Sequence, residues 1–167
     1  MVKAKEGDIL FVRGRGIVNS IIRFVTRGKV SHVAYFWSER DIIETNWGEG
    51  VAMNPSNKYN PKKHKLWIGT IKTANKEDIA AISKWMARQI GEKYDKMQIL
   101  NMLFCRITGT YNKETVMDNK KLDVCSSLIG EAAETRNIIP KKNVATSNLS
   151  PQDLFDSEIV DVREYKA

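Results

Sequence analysis

Ser31-His32-Val33-Ala34-Tyr35-Phe36-Trp37-Ser38-Glu39-Arg40-Asp41-Ile42-Ile43-Glu44-Thr45 carries the clearest structural signal in the chain. Two apolar, β-branched and aromatic runs, His32 to Trp37 and Asp41 to Thr45, flank the polar segment Ser38-Glu39-Arg40, which predicts two strands joined by a turn. A third run, Gly50 to Met53, follows after a short gap, so the segment reads as an antiparallel meander. His32 opens the first strand. Glu44 lies twelve residues later, beside Ile42 and Ile43, where a carboxylate is costly unless it has a partner. If the two strands form a hairpin, the histidine and the glutamate come near each other on one face.

Working outward, Gly7-Asp8 is a turn signal ahead of Ile9-Leu10-Phe11-Val12, read as a buried strand. Gly14 and Gly16 interrupt the pattern. Ile17, Ile21, Ile22 and Val25 then follow at helical spacing, and Gly28 closes that segment. On the other side, residues 54 to 65 are rich in Asn, Pro and Lys and read as a loop, followed by a strand from Leu66 to Ile71. Thr73-Ala74-Asn75 leads into a helix whose apolar positions are Ile79, Ile82, Trp85, Met86 and Ile90, with a stop at Gly91. A second helix is predicted for Lys96 to Cys105, a polar mobile insertion for 108 to 121, and a helix for Asp123 to Arg136 with Asp123 near its cap. Ser150-Pro151 reads as a turn and Glu158 to Val162 as a last strand. No repeat or linker divides the chain, so residues 1–167 are read as one α+β domain, an antiparallel sheet packed against helices.

Composition narrows the function classes. Hydrophobic residues are 42% and charged residues 28%, enough for a real core. No run approaches the ~18 apolar residues of a membrane span. Met1 to Asp8 has lysines but no apolar stretch behind them, unlike a secretory signal, so a cytoplasmic location is expected unless a phage or another delivery system exports the protein. Two cysteines, Cys105 and Cys125, exclude a dense disulfide framework and a Cys-rich zinc site. The net charge of +7 and the clusters Lys62-Lys63-His64-Lys65 and Arg13, Arg15, Arg23, Arg27, Lys29 fit either plain solubility or an anionic partner surface. They come without zinc-finger, RNP-like or heptad patterning, so a specific nucleic-acid reader is not supported.

Leu122-Asp123-Val124-Cys125-Ser126-Ser127-Leu128-Ile129-Gly130-Glu131-Ala132-Ala133 brings a polar loop into a helix with Cys125 in the first turn. Amide groups at that end carry partial positive charge, favour a thiolate and can hold an oxyanion. Position alone does not separate such a cysteine from a buried structural one. A nucleophile also needs a base. His64 sits in the lysine-rich loop and reads as a solvated residue, which leaves His32, with Glu44 as the group that orients its ring. Cys105 follows an apolar run and reads as structural. Trp37, Trp47 and Trp85 read as core or groove wall.

Gly7-Asp8-Ile9-Leu10-Phe11, Ser31-His32-Val33-Ala34-Tyr35, Ile43-Glu44, Gly91-Glu92-Lys93-Tyr94-Asp95, Val124-Cys125-Ser126-Ser127-Leu128-Ile129 and Ser150-Pro151-Gln152-Asp153-Leu154-Phe155 together resemble the landmarks of the permuted NlpC/P60 proteins. These are papain-like hydrolases of the YiiX/YebB and lecithin:retinol-acyltransferase-like kind. The order His, acid, Cys matches the circularly permuted branch rather than ordinary NlpC/P60 enzymes, whose cysteine helix comes first. The resemblance implies a permuted papain-like fold with Cys125 as nucleophile at a helix N-terminus, His32 as base and Glu44 as orienter. It also implies a tyrosine near the site, Tyr94, for the oxyanion hole or substrate positioning. The implied activity is amide or peptide hydrolysis, with cell-wall peptide as a candidate substrate and no metal or organic cofactor. Lipid acyl hydrolysis or transfer is the enzymatic alternative, and a binding or structural module the non-catalytic one.

Overall fold

Ile9, Leu10, Phe11 and Val12 are all buried, which requires that the strand they form be covered on both faces. The computed structural model describes residues 3–46, 50–93 and 125–165. The strand is β1 (Ile9–Arg13), and it lies inside a six-stranded antiparallel sheet with β2 (His32–Phe36), β3 (Asp41–Asn46), β4 (Gly50–Pro55), β5 (Lys65–Ile71) and β6 (Val160–Tyr165). The spatial order is β4-β3-β2-β1-β5-β6. The expected meander is therefore present as β2-β3-β4. The strand after the loop does not extend it: β5 crosses back to pair with β1, Phe11 opposite Trp67.

Alternation along the strands divides the core. Ile9, Phe11, Val33, Tyr35 and Ile43 face the helices. Leu10, Val12, Ala34, Phe36, Ile42 and Ile68 form a second cluster on the opposite face, against Ala4, Tyr59 and Tyr165. The helices are α1 (Ile17–Val25), α2 (Lys76–Arg88), α3 (Cys125–Glu134) and α4 (Pro151–Phe155). α2 starts where Asn75 and Asp78 form a capping box, and it buries Ile82 and Met86. Ser83 of α2 meets the hydroxyl of the fully buried Tyr35 at 2.8 Å, so that polar tip is satisfied. The turn expected at Ser150-Pro151 is instead the start of α4: Ser150 and Asp153 close a capping box with Pro151 in the first turn.

Two landmarks of the sequence are structural. Gly7 holds φ +89°, and a Cβ there would meet the Ile79 side chain at 2.6 Å. The buried Asp8 carboxylate accepts from the Lys5 amide (3.0 Å) and the Thr70 hydroxyl (2.7 Å), tying the N-terminal turn to β5. The helix expected at Lys96 to Cys105, the insertion at 108 to 121, Asp123, Trp47 and Tyr94 lie outside the described residues.

Candidate active site

β2 and β3 pair with Tyr35 opposite Ile43 and Phe36 opposite Ile42. Carried on, that register sets Glu44 beside Ala34, one same-face step from His32 and within reach of a long side chain. The side chains do meet: His32 Nε2 lies 2.7 Å from Glu44 Oε2. A carboxylate only accepts, so Nε2 carries the proton and donates.

Glu44 is 1% exposed and answers the question its apolar neighbours raise. Oε1 accepts from Lys58 Nζ (2.7 Å) and Asn54 Nδ2 (3.0 Å). Oε2 accepts from His32 and from the Tyr59 hydroxyl (2.6 Å). Four donors occupy its two oxygens. Burial opposes the charge, yet the bond to His32, the charge on that ring, and the bonds from Lys58 and Tyr59 outweigh it and hold the carboxyl down at about 2. Burial, followed by the charge of this carboxylate and the bond to it, pushes the Tyr59 phenol far above its ordinary value, so Tyr59 stays a donor.

Cys125 is the first described residue of α3 and is 7% exposed. It belongs to the helix-side cluster, whereas His32 and Glu44 share strand parity with the opposite face. They come together because His32 is the terminal residue of β2, where the sheet no longer separates the two faces. Burial opposes a charge on the His32 ring. The thiolate charge of Cys125 and a hydrogen bond to it, followed by the bond to Glu44 and that carboxylate's charge, together raise the ring to about 10. Cys125 and Glu44 thus both act on the charge of the His32 ring.

Neighbours hold His32 and α3 in place. Ser31 Oγ accepts from the Gly14 amide at 3.0 Å and donates to Asn19 Oδ1 at 2.9 Å, anchoring the residue before His32. α3 is held close to the segment before α4: Ser126 Oγ donates to the Leu149 carbonyl, and a Cβ on Gly130 would meet Leu149 Cδ1 at 2.4 Å.

Sequence reading missed Asn54, Lys58 and Tyr59, all assigned to an undifferentiated loop. Only the isolated aromatic among Asn, Pro and Lys hinted at them. His64, expected to be solvated, is half-buried, with its ring edge-on to Tyr59 at 5.7 Å. Tyr59 in turn lies 5.9 Å from the His32 ring. Trp37 and Trp85 pack partly buried against the helix-side core.

No protein-family model matches the chain, and no curated protein does. Among solved structures, the metalloprotein yiiX from Escherichia coli O157:H7 aligns with a TM-score of 0.65 over 97% of each chain, at 14% identity. The chain has a YiiX-like fold. The likeness is one of architecture, and the metal belongs to the description of that protein. Here, among the described residues, no group of three His, Cys, Asp or Glu side chains is arranged to hold a metal ion. The best-placed carboxylate, Glu44, already accepts four donors, one of them a lysine. These residues of the YiiX-like fold do not fit a metal centre.

Proposed function

We propose that the protein is a cysteine hydrolase of the circularly permuted papain-like kind, cleaving an amide bond in a peptide such as cell-wall peptide. Cys125 is the nucleophile, His32 its base and Glu44 the residue that orients the ring. The observation that carries the reading is an imidazole whose Nε2 is held by a buried carboxylate at 2.7 Å, with Cys125 acting on the same ring. That is the arrangement an activated nucleophile needs.

With Nε2 committed to Glu44, Nδ1 is left for the thiol. It takes the Cys125 proton, and the imidazolium is stabilised by the adjacent carboxylate. The thiolate attacks the carbonyl carbon, and amides of the first turn of α3 hold the oxyanion. His32 returns its proton to the departing amine nitrogen as the C–N bond breaks, leaving a thioester. A water molecule, giving a proton to His32, attacks the thioester; the acid product leaves and the thiolate is restored.

A second reading, hydrolysis or transfer of a lipid acyl chain, is favoured by one observation, the apolar helix α1 beside the His32 end of the sheet. Turnover assays with labelled muropeptides and labelled phospholipid separate the two substrates. Cys125→Ala and His32→Ala should each abolish turnover, by roughly 10⁴-fold or more, with an unchanged circular dichroism spectrum. Iodoacetamide should label Cys125 faster than a free thiol at neutral pH, and more slowly in His32→Ala, as read by peptide mass spectrometry. Normal turnover in folded Cys125→Ala would sink the proposal.

A further inference from the structure

α1 is amphipathic, yet none of its residues is buried. Ile17 is 81% and Phe24 85% exposed, and Val18 and Ile21 are also exposed. Ile17, Ile21 and Phe24 fall at i, i+4 and i+7, one continuous stripe pointing away from the other described residues. Isolated exposed apolar side chains need no explanation, but a stripe of them on one helix does.

The helix is fastened at both ends. Arg23 Nη1 donates to the Gly14 carbonyl at 2.6 Å, and Gln152 of α4 accepts from the Lys29 amide at 2.7 Å just past the helix. The stripe is therefore presented by a defined element.

Its surroundings are cationic. The chain has no acidic residue between Asp8 and Glu39, and Arg13, Arg15, Arg23, Arg27 and Lys29 fall in that interval. Ser20 and Arg23, on the flank next to Phe24, face an open depression of about 770 Å³ whose other wall carries Lys62, Lys63 and Lys65. Its one acidic lining residue, Glu164, lies 3.8 Å from Lys65.

We infer that α1 and this basic depression form a docking surface for an anionic phospholipid bilayer. The apolar stripe enters the acyl boundary, and the arginines and lysines meet the phosphates. Two complementary chemistries on one side of a short helix suit a bilayer, which offers negative headgroups above an apolar layer and needs no shape match. A second copy of this chain is disfavoured because a symmetric contact through α1 would set the two arginine clusters against each other. The inference does not depend on the proposed chemistry.

The test is co-sedimentation of the full chain with vesicles of phosphatidylglycerol and phosphatidylcholine, against phosphatidylcholine alone. Binding to the anionic vesicles is expected to be at least tenfold stronger and to weaken as salt is raised. Phe24→Ser should weaken it by about tenfold or more, and Arg15→Gln by about fivefold. Thermal midpoints close to that of the parent would show that both variants fold. No binding at low salt, equal binding to both vesicle types, or undiminished binding by folded Phe24→Ser would each overturn the inference. So would tighter binding to a DNA duplex, unaffected by Phe24→Ser, which would assign the basic face to nucleic acid.

Discussion

α1 and α3 stand at opposite extremes of burial. α1, Ile17-Val18-Asn19-Ser20-Ile21-Ile22-Arg23-Phe24-Val25, is the more apolar, and it buries nothing completely. α3, Cys125-Ser126-Ser127-Leu128-Ile129-Gly130-Glu131-Ala132-Ala133-Glu134, carries serines and a glycine, and eight of its ten residues are buried. Apolarity therefore does not rank these helices by depth. Small residues let the α3 backbone approach its neighbours, as Gly130 does against Leu149, and the Ser126 hydroxyl finds a carbonyl once inside. α1 lies in the connection between two directly paired antiparallel strands, β1 and β2, and only its inner flank, with Val25, reaches the core. The helix that carries Cys125 is the one locked in place.

Substitutions can break or sharpen this contrast. The largest effect is expected at the site that the locked helix serves. Glu44→Gln keeps the shape but removes the charge, and turnover should fall by about 10²- to 10⁴-fold. Glu44 also helps to hold the His32 proton up to about pH 10. The alkaline limb of the variant's pH profile should therefore move down toward 6.5, the ordinary histidine value. The stability linkage has a definite sign. The Glu44 contribution is present above its ordinary value of 4.5 and lost as pH falls through about 2. The His32 contribution is present below 6.5 and lost as pH rises through about 10. Both are full between 4.5 and 6.5, where the parent should gain most over Glu44→Gln in denaturant unfolding. An alkaline limb that does not move would detach Glu44 from the histidine.

A smaller effect is expected in the body of α3. Leu128 is fully buried, so Leu128→Ala should cost about 2–5 kcal/mol in urea unfolding. A loss below 1 kcal/mol would mean that α3 is not locked as its burial implies. The smallest effect belongs to α1: Phe24→Ser should change stability by no more than about 0.5 kcal/mol. A large loss there would mean that the stripe packs against the protein itself, and the contrast between the helices would collapse.

Much of the architecture was legible locally. Strand runs bounded by turn residues located β1 to β5 to within a few positions, and the Asn75 cap and Gly91 bracketed α2. The last strand begins at Val160 rather than Glu158, because strand ends depend on pairing with β5 rather than on local preference. The hairpin spacing from His32 to Glu44 foretold the pair that meets at 2.7 Å. Its other partners were not legible. Asn54, Lys58 and Tyr59 reach Glu44 from the end of β4 and the turn after it, and no periodicity marks a loop residue that folds back onto a buried carboxylate. The crossing of β5 past three strands to β1 was equally hidden, since apolar alternation states which side a residue takes and not which strand it joins.

Sequence alone established the alternation of the strands, a helix running through Cys125, and the histidine and glutamate spaced to share a hairpin face. These follow from backbone periodicity and the cost of an unpartnered carboxylate, both local matters. Tertiary packing was needed to bring Cys125, on the helix side, beside the His32 ring at the end of β2. It also decided that the apolar stripe of α1, Ile17, Ile21 and Phe24, is exposed. Both outcomes depend on which surfaces were already occupied when the elements packed, and that depends on the whole chain rather than on any one stretch of it.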